Sequence, residues 1–328
     1  MEYRILERSY LELKGRVQKM RFNNREEIIA LTPQWTGERL PDGRPKVADR
    51  YLDALADMTL EEVWKPIFVK GYENQFISMK SLHPEFKEDG GLNKKLIGRA
   101  VTAVYAPTRP DYFEVMMKSA AAQGWSGTPN QWVIDSLQER DVIVVDMYDK
   151  IFKGTFVGGN LATAIKNKTK TGGAVIWGGI RDIEQMQKVD IQVYYRGIDP
   201  TPIRDFVMTG FNTPARIGDG REAAICLPGD IVYGCSGGVL FIPPQLVPEV
   251  VDGAAKTQVK DMFGFDMITA NKFTTAQIDK NTWSEEMLDL LMEFIKTDPR
   301  AEKYRNLDWS HEYDLARNGD PTDTQSAL

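Results

Sequence analysis

The six residues Asp141–Asp146, DVIVVD, constrain the fold of this chain more than any other stretch. Four consecutive β-branched apolar residues sit between polar ends. A strand of this kind presents apolar side chains to both faces of its sheet, so both faces must be covered. The neighbouring segments suit that demand. Helices are expected at 112–123 and 131–137 before it and at 161–168 after it. Apolar strands follow at 174–177 (AVIW) and 191–196 (IQVYYR). Such alternation points to a largely parallel sheet. Beyond about residue 195 the pattern changes. Short strands at 213–217, 223–227, 230–233 and 239–242 are separated by Gly and Pro, as in a meander or small barrel. The expectation is an α/β domain whose sheet continues into a second, β-rich layer.

The flanks read as helical. Leu6, Tyr10, Leu13, Val17 and Met20 form a stripe over 3–22. Residues 32–46, with three prolines and Trp35, read either as a connector or as a functional loop. A helix is expected at 47–58. Thr59 and Glu62 form a capping box for the next, with Gly71 beyond its end. Residues 74–95 have little pattern, and 97–106 is a strand. A helix is expected over 245–262. A second capping box at 282–285 leads into a face of Trp283, Met287, Leu290, Leu291 and Phe294.

Charge and composition narrow the function. A net charge of −6 argues against a general nucleic-acid binder. With two histidines and two cysteines there is neither a His-rich metal site nor a disulfide framework. Any metal would be held by carboxylates, carbonyls and water, which favours Mg²⁺ or Mn²⁺ over zinc. The charged N-terminus and the lack of a long apolar run suggest a cytoplasmic protein with no membrane span.

Residues 158–182, GGNLATAIKNKTKTGGAVIWGGIRD, concentrate the chemistry. Gly158 and Gly159 open a helix-like segment at Asn160 and Leu161. Bare backbone N–H groups there can approach a carboxylate or phosphate, and the helix dipole favours the anion. After the apolar strand, Gly178-Gly179-Ile180 leads to Arg181, able to clamp a carboxylate, and Asp182, a hard oxygen ligand. A surface Arg-Asp pair after a glycine turn is also a commonplace of loops.

Strand, Gly-x-x-Arg-Asp, short helix and a strand ending in Arg196-Gly197 resemble the regulator of ribonuclease activity A family. That family also contains the 4-hydroxy-4-methyl-2-oxoglutarate aldolases and oxaloacetate decarboxylases. Gly98 to Thr102, Asp141–Asp146, Asn212 to Pro214, Pro228-Gly229-Asp230 and Gly238 to Pro243 match its further motifs in order. The resemblance covers roughly residues 50–262, and so implies a helical extension (1–50), a family-like α/β/β domain (51–262) and a second helical extension (263–328).

The resemblance implies a three-layer α/β/β sandwich of the swivelling-domain type, assembled as trimers or pairs of trimers. It implies a lyase that acts on a small 2-oxo acid through a metal-stabilised enolate. Asp182 becomes the ligand of Mg²⁺ or Mn²⁺, Arg181 the carboxylate clamp, and residues 158–161 the amide donors. The chain departs from the family where an acid is usual and Gly159 stands. An acid of the last family helix can reach a neighbouring subunit's site, and Asp261 is the candidate for it. Asp146 is a separate candidate to reach the metal, because it stands at a strand end, where sites gather in α/β proteins. Two other readings remain open: a binding protein of the ribonuclease-inhibitor type, and a metal enzyme acting on a sugar-acid derivative.

Overall fold

A computed structural model describes residues 22–84, 95–220 and 222–319. The described residues divide into two compact units, one falling within 1–56 and 71–247, the other within 57–70 and 248–328. The helix expected over 3–22 falls almost wholly outside the described residues.

The first unit is built on one large sheet. Its centre is the parallel set β3 (Leu96–Pro107), β4 (Asp141–Asp146), β6 (Ala174–Ile180) and β7 (Val193–Ile198). Short β5 (Thr155–Val157) runs parallel to β6. Antiparallel strands β11 (Ile231–Cys235) and β12 (Gly238–Ile242) extend the β3 side, and β8 (Phe206–Phe211) also pairs with β3. Two-residue strands, β1 (Phe76–Ile77) and β2 (Lys80–Ser81), close the two ends. These fall in the stretch that shows little pattern. The last four short strands do not form one meander: β9 (Ala215–Gly218) and β10 (Ala223–Cys226) make a separate hairpin, while β11 and β12 join the main sheet.

The period-2 alternation of the strands produces the layers. Ile143 and Val145 of β4, with Ala174 and Ile176 of β6, face the helical layer. That layer includes α4 (Pro110–Ala122), α5 (Pro129–Ser136), α6 (Gly159–Thr169) and the short α7 (Ile183–Met186), which bury Met116, Ala120, Val133, Ile134, Ala162, Ile165 and Met186. Val142, Val144, Val175 and Trp177 point the other way. There they pack with Ile217, Ala224 and Cys226 of the hairpin and with Val239 and Phe241. The result is an α/β/β sandwich. The loop after β4 lies directly over β6, where Gly178 and Gly179 leave no side chain. Trp177 O accepts from Met147 N and Asp149 N, and Gly179 N donates to Lys150 O. A Cβ on Gly178 would lie 2.7 Å from Met147 Cβ.

The segment before the sheet is tied into this body. It contributes α1 (Arg25–Leu31) and α2 (Asp49–Leu55), and between them Arg39 bridges to Pro45. Thr102 N donates to Asn212 Oδ1 and Asn212 N to Thr102 O, so two of the family-like motifs hold each other. Cys226 and Cys235 are buried free thiols; Cys226 pairs across its hairpin with Ala215, and Cys235 with Gly238.

The second unit contains α3 (Leu60–Phe68), α8 (Val247–Thr269, whose first residue is assigned to the first unit), α9 (Thr275–Ile278), α10 (Glu285–Thr297) and α11 (Ser310–Asn318). Thr59 and Glu62 form the expected capping box on α3. The second expected box is different in detail: Ser284, not Thr282, caps α10 by accepting from Met287 N. Val259, Phe263, Trp283, Leu288 and Leu291 make the core of this unit. No described helix is long and apolar enough to cross a membrane.

Candidate functional site

The start of α6 and the end of β6 meet. Gly158 is the N-cap residue of α6. Asp182 follows β6 with φ 58° and ψ 43°, the left-handed region that non-glycine residues seldom occupy. That turn swings its carboxylate back to α6, where Oδ2 accepts from Gly159 N at 3.2 Å. Arg181 Nε lies 3.9 Å from the same oxygen, and both side chains are about one third exposed. β5 holds this corner from below, since Arg181 N donates to Val157 O.

Gly158 is required by the approach of these groups. A Cβ there would sit 2.4 Å from Asp182 Oδ2 and 3.1 Å from Arg181 Cγ. The next two first-turn amides, Asn160 N and Leu161 N, have no acceptor among the described residues. They stand at the positive end of α6, beside Arg181, which is the arrangement of a small-anion site. Asp182 Oδ1 likewise has no hydrogen-bond partner among the described residues.

The structure thus brings together Gly158, Gly159, Asn160, Leu161, Arg181 and Asp182. Asp146 lies elsewhere, at the end of β4 on the face turned toward the hairpin layer. Its Oδ1 accepts from Tyr148 N. Burial pushes its carboxyl above the ordinary value, against the Tyr148 amide and the Arg216 charge. Asp261 lies on α8 in the second unit, where burial and then the Glu62 carboxylate raise it.

A polar cavity of about 270 Å³, lined by Ile77, Ser78, Trp177, Arg196, Asp219 and Glu222, is not evident from the sequence. Arg196 stacks 4.3 Å from the Trp177 ring centroid and bonds Asp149 at 3.0 and 3.4 Å. Strand parity already places Trp177 and Arg196 on one face. The loop carrying Asp219 and Glu222 arrives from the hairpin and has no signal in the pattern.

A family model described as RraA-like, Aldolase/RraA, matches residues 71–241, more than half of the chain and wholly within the first unit. The chain belongs to the RraA-like family. Protein DlpA of Legionella pneumophila is 25% identical to this RraA-like chain over 205 residues, which cover 61% of the chain and 29% of DlpA. The chain therefore spans less than a third of that relative. Among solved structures, an uncharacterized protein from Pseudomonas syringae pv. tomato superposes with a TM-score of 0.54 at 19% identity, covering 72% of this chain and all of that one. RraAS2 of Streptomyces coelicolor, described as an unusual member of the RNase ES inhibitor RraA family, superposes with a TM-score of 0.50 at 20% identity, covering 67% and 97%. At these identities the two likenesses establish the fold.

The RraA-like family is generally metal-dependent, and the donor set of this corner bears on which metal suits it. Among the described residues no three His, Cys, Asp or Glu side chains cluster as ligands. Asp182 offers one open carboxylate oxygen beside solvent. Mg²⁺ is commonly held by one or two carboxylates, with water and substrate completing its shell. The corner fits that mode of binding and does not fit a four-ligand zinc site.

Proposed function

We propose that this RraA-like protein is a divalent-metal-dependent lyase acting on a small 2-oxo acid, by aldol cleavage or decarboxylation. The convergence of Arg181 and Asp182 on the open amides of α6 is the observation that carries this reading. Arg181 holds the substrate carboxylate, aided by Asn160 N and Leu161 N. Asp182, through its open Oδ1, would hold Mg²⁺ or Mn²⁺. When bound, the cation supplies Lewis acidity at the 2-oxo oxygen. Arg181 and the two amides oppose the negative charge that grows on the substrate as the carbon–carbon bond breaks. The Gly159 N–H bond keeps the Asp182 carboxylate aimed at the helix start. Among the described residues Asp182 is the one carboxylate bonded into this corner, so solvent takes the 4-hydroxyl proton in aldol cleavage and, in either reaction, protonates the carbon that the broken bond leaves on the 2-oxo acid. Assembly as trimers or pairs of trimers belongs to the same reading.

One observation favours a second reading. Gly159 has no side chain where an acid would complete the proton path. A protein with this corner would bind a carboxylate without turning it over, or would bind a protein partner, as RraAS2's family description suggests for RNase ES inhibitors.

The test is pyruvate release from oxaloacetate and a panel of 4-hydroxy-2-oxo acids, sugar-acid derivatives included, with Mg²⁺, Mn²⁺ or EDTA. Metal-dependent release that Arg181→Ala and Asp182→Ala each abolish is the expected result. No release on any substrate by the folded protein overturns the lyase reading in favour of binding.

A further inference from the structure

A second cavity of about 290 Å³ lies within the first unit, away from the residues of the Arg181–Asp182 corner. It is walled by 31–34, by Tyr72 and Gln75, by Ile225 of β10, by Leu227 and Asp230 of the turn between β10 and β11, and by 243–245. Gln245 Nε2 donates to Gln34 Oε1 and joins two of these walls. The walls are mostly apolar, with prolines 33, 243 and 244 and the Tyr72 ring. Their polar groups are the Thr32 and Tyr72 hydroxyls, three glutamine amides and one carboxyl, Asp230.

Asp230 is 4% exposed. Its Oδ2 accepts from Leu227 N at 2.7 Å, which closes the Pro228-Gly229 turn. Its Oδ1 has no partner among the described residues. A structural role for the turn accounts for one oxygen only. No Lys, Arg or His lines the cavity. Arg44 reaches the backbone nearby, donating to Ala100 O, but its side chain is committed to Asp141 and Asp42. The thiol of Cys226 is also close. Burial first, and Asp230 second, push that thiol well above its ordinary value. A buried carboxyl without a cation is costly to ionise, and burial pushes Asp230 up to about 8.

We propose that this cavity binds a small organic cation, an alkylammonium or alkylguanidinium, whose charged head donates to Asp230 Oδ1. The alkyl body lies along Leu227, Pro243 and Pro244. The Tyr72 ring offers a face to the positive head, a contact available to any cation near an aromatic ring. The glutamine amide oxygens accept its remaining N–H groups. An anion finds no basic donor in this cavity, and a neutral ligand leaves the carboxyl as it is.

Proton linkage gives the proposal a distinctive signature. Below about pH 8 the empty site holds a proton on Asp230. A bound cation favours the carboxylate, so each binding event releases one proton. Affinity then rises about tenfold per pH unit up to that value and levels above it. Two other ionisable groups face the site, the Cys226 thiol and the Tyr72 phenol; burial and the neighbouring Asp230 keep the Cys226 thiol protonated over this range.

Titration calorimetry on the full chain with butylammonium, butylguanidinium, 1-butanol and butyrate tests this. The runs cover pH 6, 7 and 8, in buffers of different ionisation heat. The expected result is saturable binding of the two cations at least about tenfold tighter than butanol, with no binding of butyrate. About one proton is released at pH 6, and both effects are absent in Asp230→Asn. Equal binding of butanol and butylammonium overturns the proposal. So does cation binding without proton release, or no cation binding at 50-fold the concentration that saturates the best probe of any class. The selectivity and proton counts of the unaltered protein decide the matter even where Asp230→Asn fails to fold. They are independent of lyase activity.

Discussion

Arg44 and Asp141 share two near-parallel hydrogen bonds, at 2.8 and 3.0 Å, in a place where neither side chain is more than 1% exposed. Arg44 also bonds Asp42 Oδ2 at 2.7 Å and Ala100 O at 3.2 Å. Asp141 starts β4, and its Oδ2 further accepts from Gln138 N. The pair thus fastens the segment before the sheet to the first residue of the central strand. Fork-to-fork geometry of this kind suits Arg and does not suit Lys. Arg44→Ala leaves Asp141 buried without its cation, at a cost of about 3–5 kcal/mol. Arg44→Lys recovers part of that loss, and Arg44→Met with Asp141→Asn recovers more. Urea denaturation measures this; a loss under about 1 kcal/mol for Arg44→Ala contradicts the assignment.

Gly158→Ala separates site geometry from fold. The added methyl meets the end of the Asp182 side chain, 2.4 Å away, and not backbone. The carboxylate therefore swings off Gly159 N while α6 and β6 stay in place. Stability changes by about 1 kcal/mol. Affinity for Mn²⁺ and any lyase activity fall about 10–100-fold, the usual cost when a group that orients a metal ligand is lost. Mn²⁺ binding is read by electron paramagnetic resonance, independently of turnover. Unchanged Mn²⁺ affinity in a folded variant argues that Asp182 is not the ligand.

Gly159→Glu restores an acid at the start of α6. The new Cβ would lie 3.1 Å from Gln185 Oε1 and 3.3 Å from Gln185 Cβ. Gln185 is exposed and free to turn outward. A glutamate in the first helical turn is also favoured by the helix dipole. If proton transfer limits the lyase, kcat in the pyruvate-release assay rises by at least about tenfold, within the reach of general acid–base catalysis. A folded variant with unchanged kcat shows that the missing acid is not the limiting step.

The parts of this molecule that were legible in the sequence are those fixed by local pattern. β4 could be read because both of its faces are buried, so its apolar run has no polar interruption. The Gly158–Leu161 turn and the Arg181–Asp182 pair could each be read as an anion-binding or metal-ligating element. Their meeting depends on the left-handed turn at Asp182, which no residue type announces. Arg44 was not legible: a charged residue in a loop rich in Pro and Gly reads as solvated, and its burial rests on a partner 97 positions away. Asp230 likewise reads as an ordinary turn residue. Its enclosure comes from Gln34, Tyr72 and Pro243, which reach it only through the tertiary fold.

The buried Asp230 carboxyl also makes stability depend on pH. Its folded value is about 8 against an ordinary 3.8, with burial as the cause and the Leu227 amide opposing it. The folded chain therefore holds this proton more tightly than the unfolded chain. The resulting stabilisation is fully present below the unfolded value near 3.8. It declines as the pH rises toward about 8, because only the unfolded chain is then free to ionise. Asn at this position stays neutral throughout and keeps an oxygen for Leu227 N. Relative to the native protein, Asp230→Asn should gain stability with rising pH between about 4 and 8. The slope approaches about 1.4 kcal/mol per pH unit for one proton. Urea denaturation of both proteins at pH 5, 6, 7 and 8 measures the difference. Parallel stability profiles would mean that Asp230 ionises in the folded chain as easily as in the unfolded one, and that a cation already compensates it.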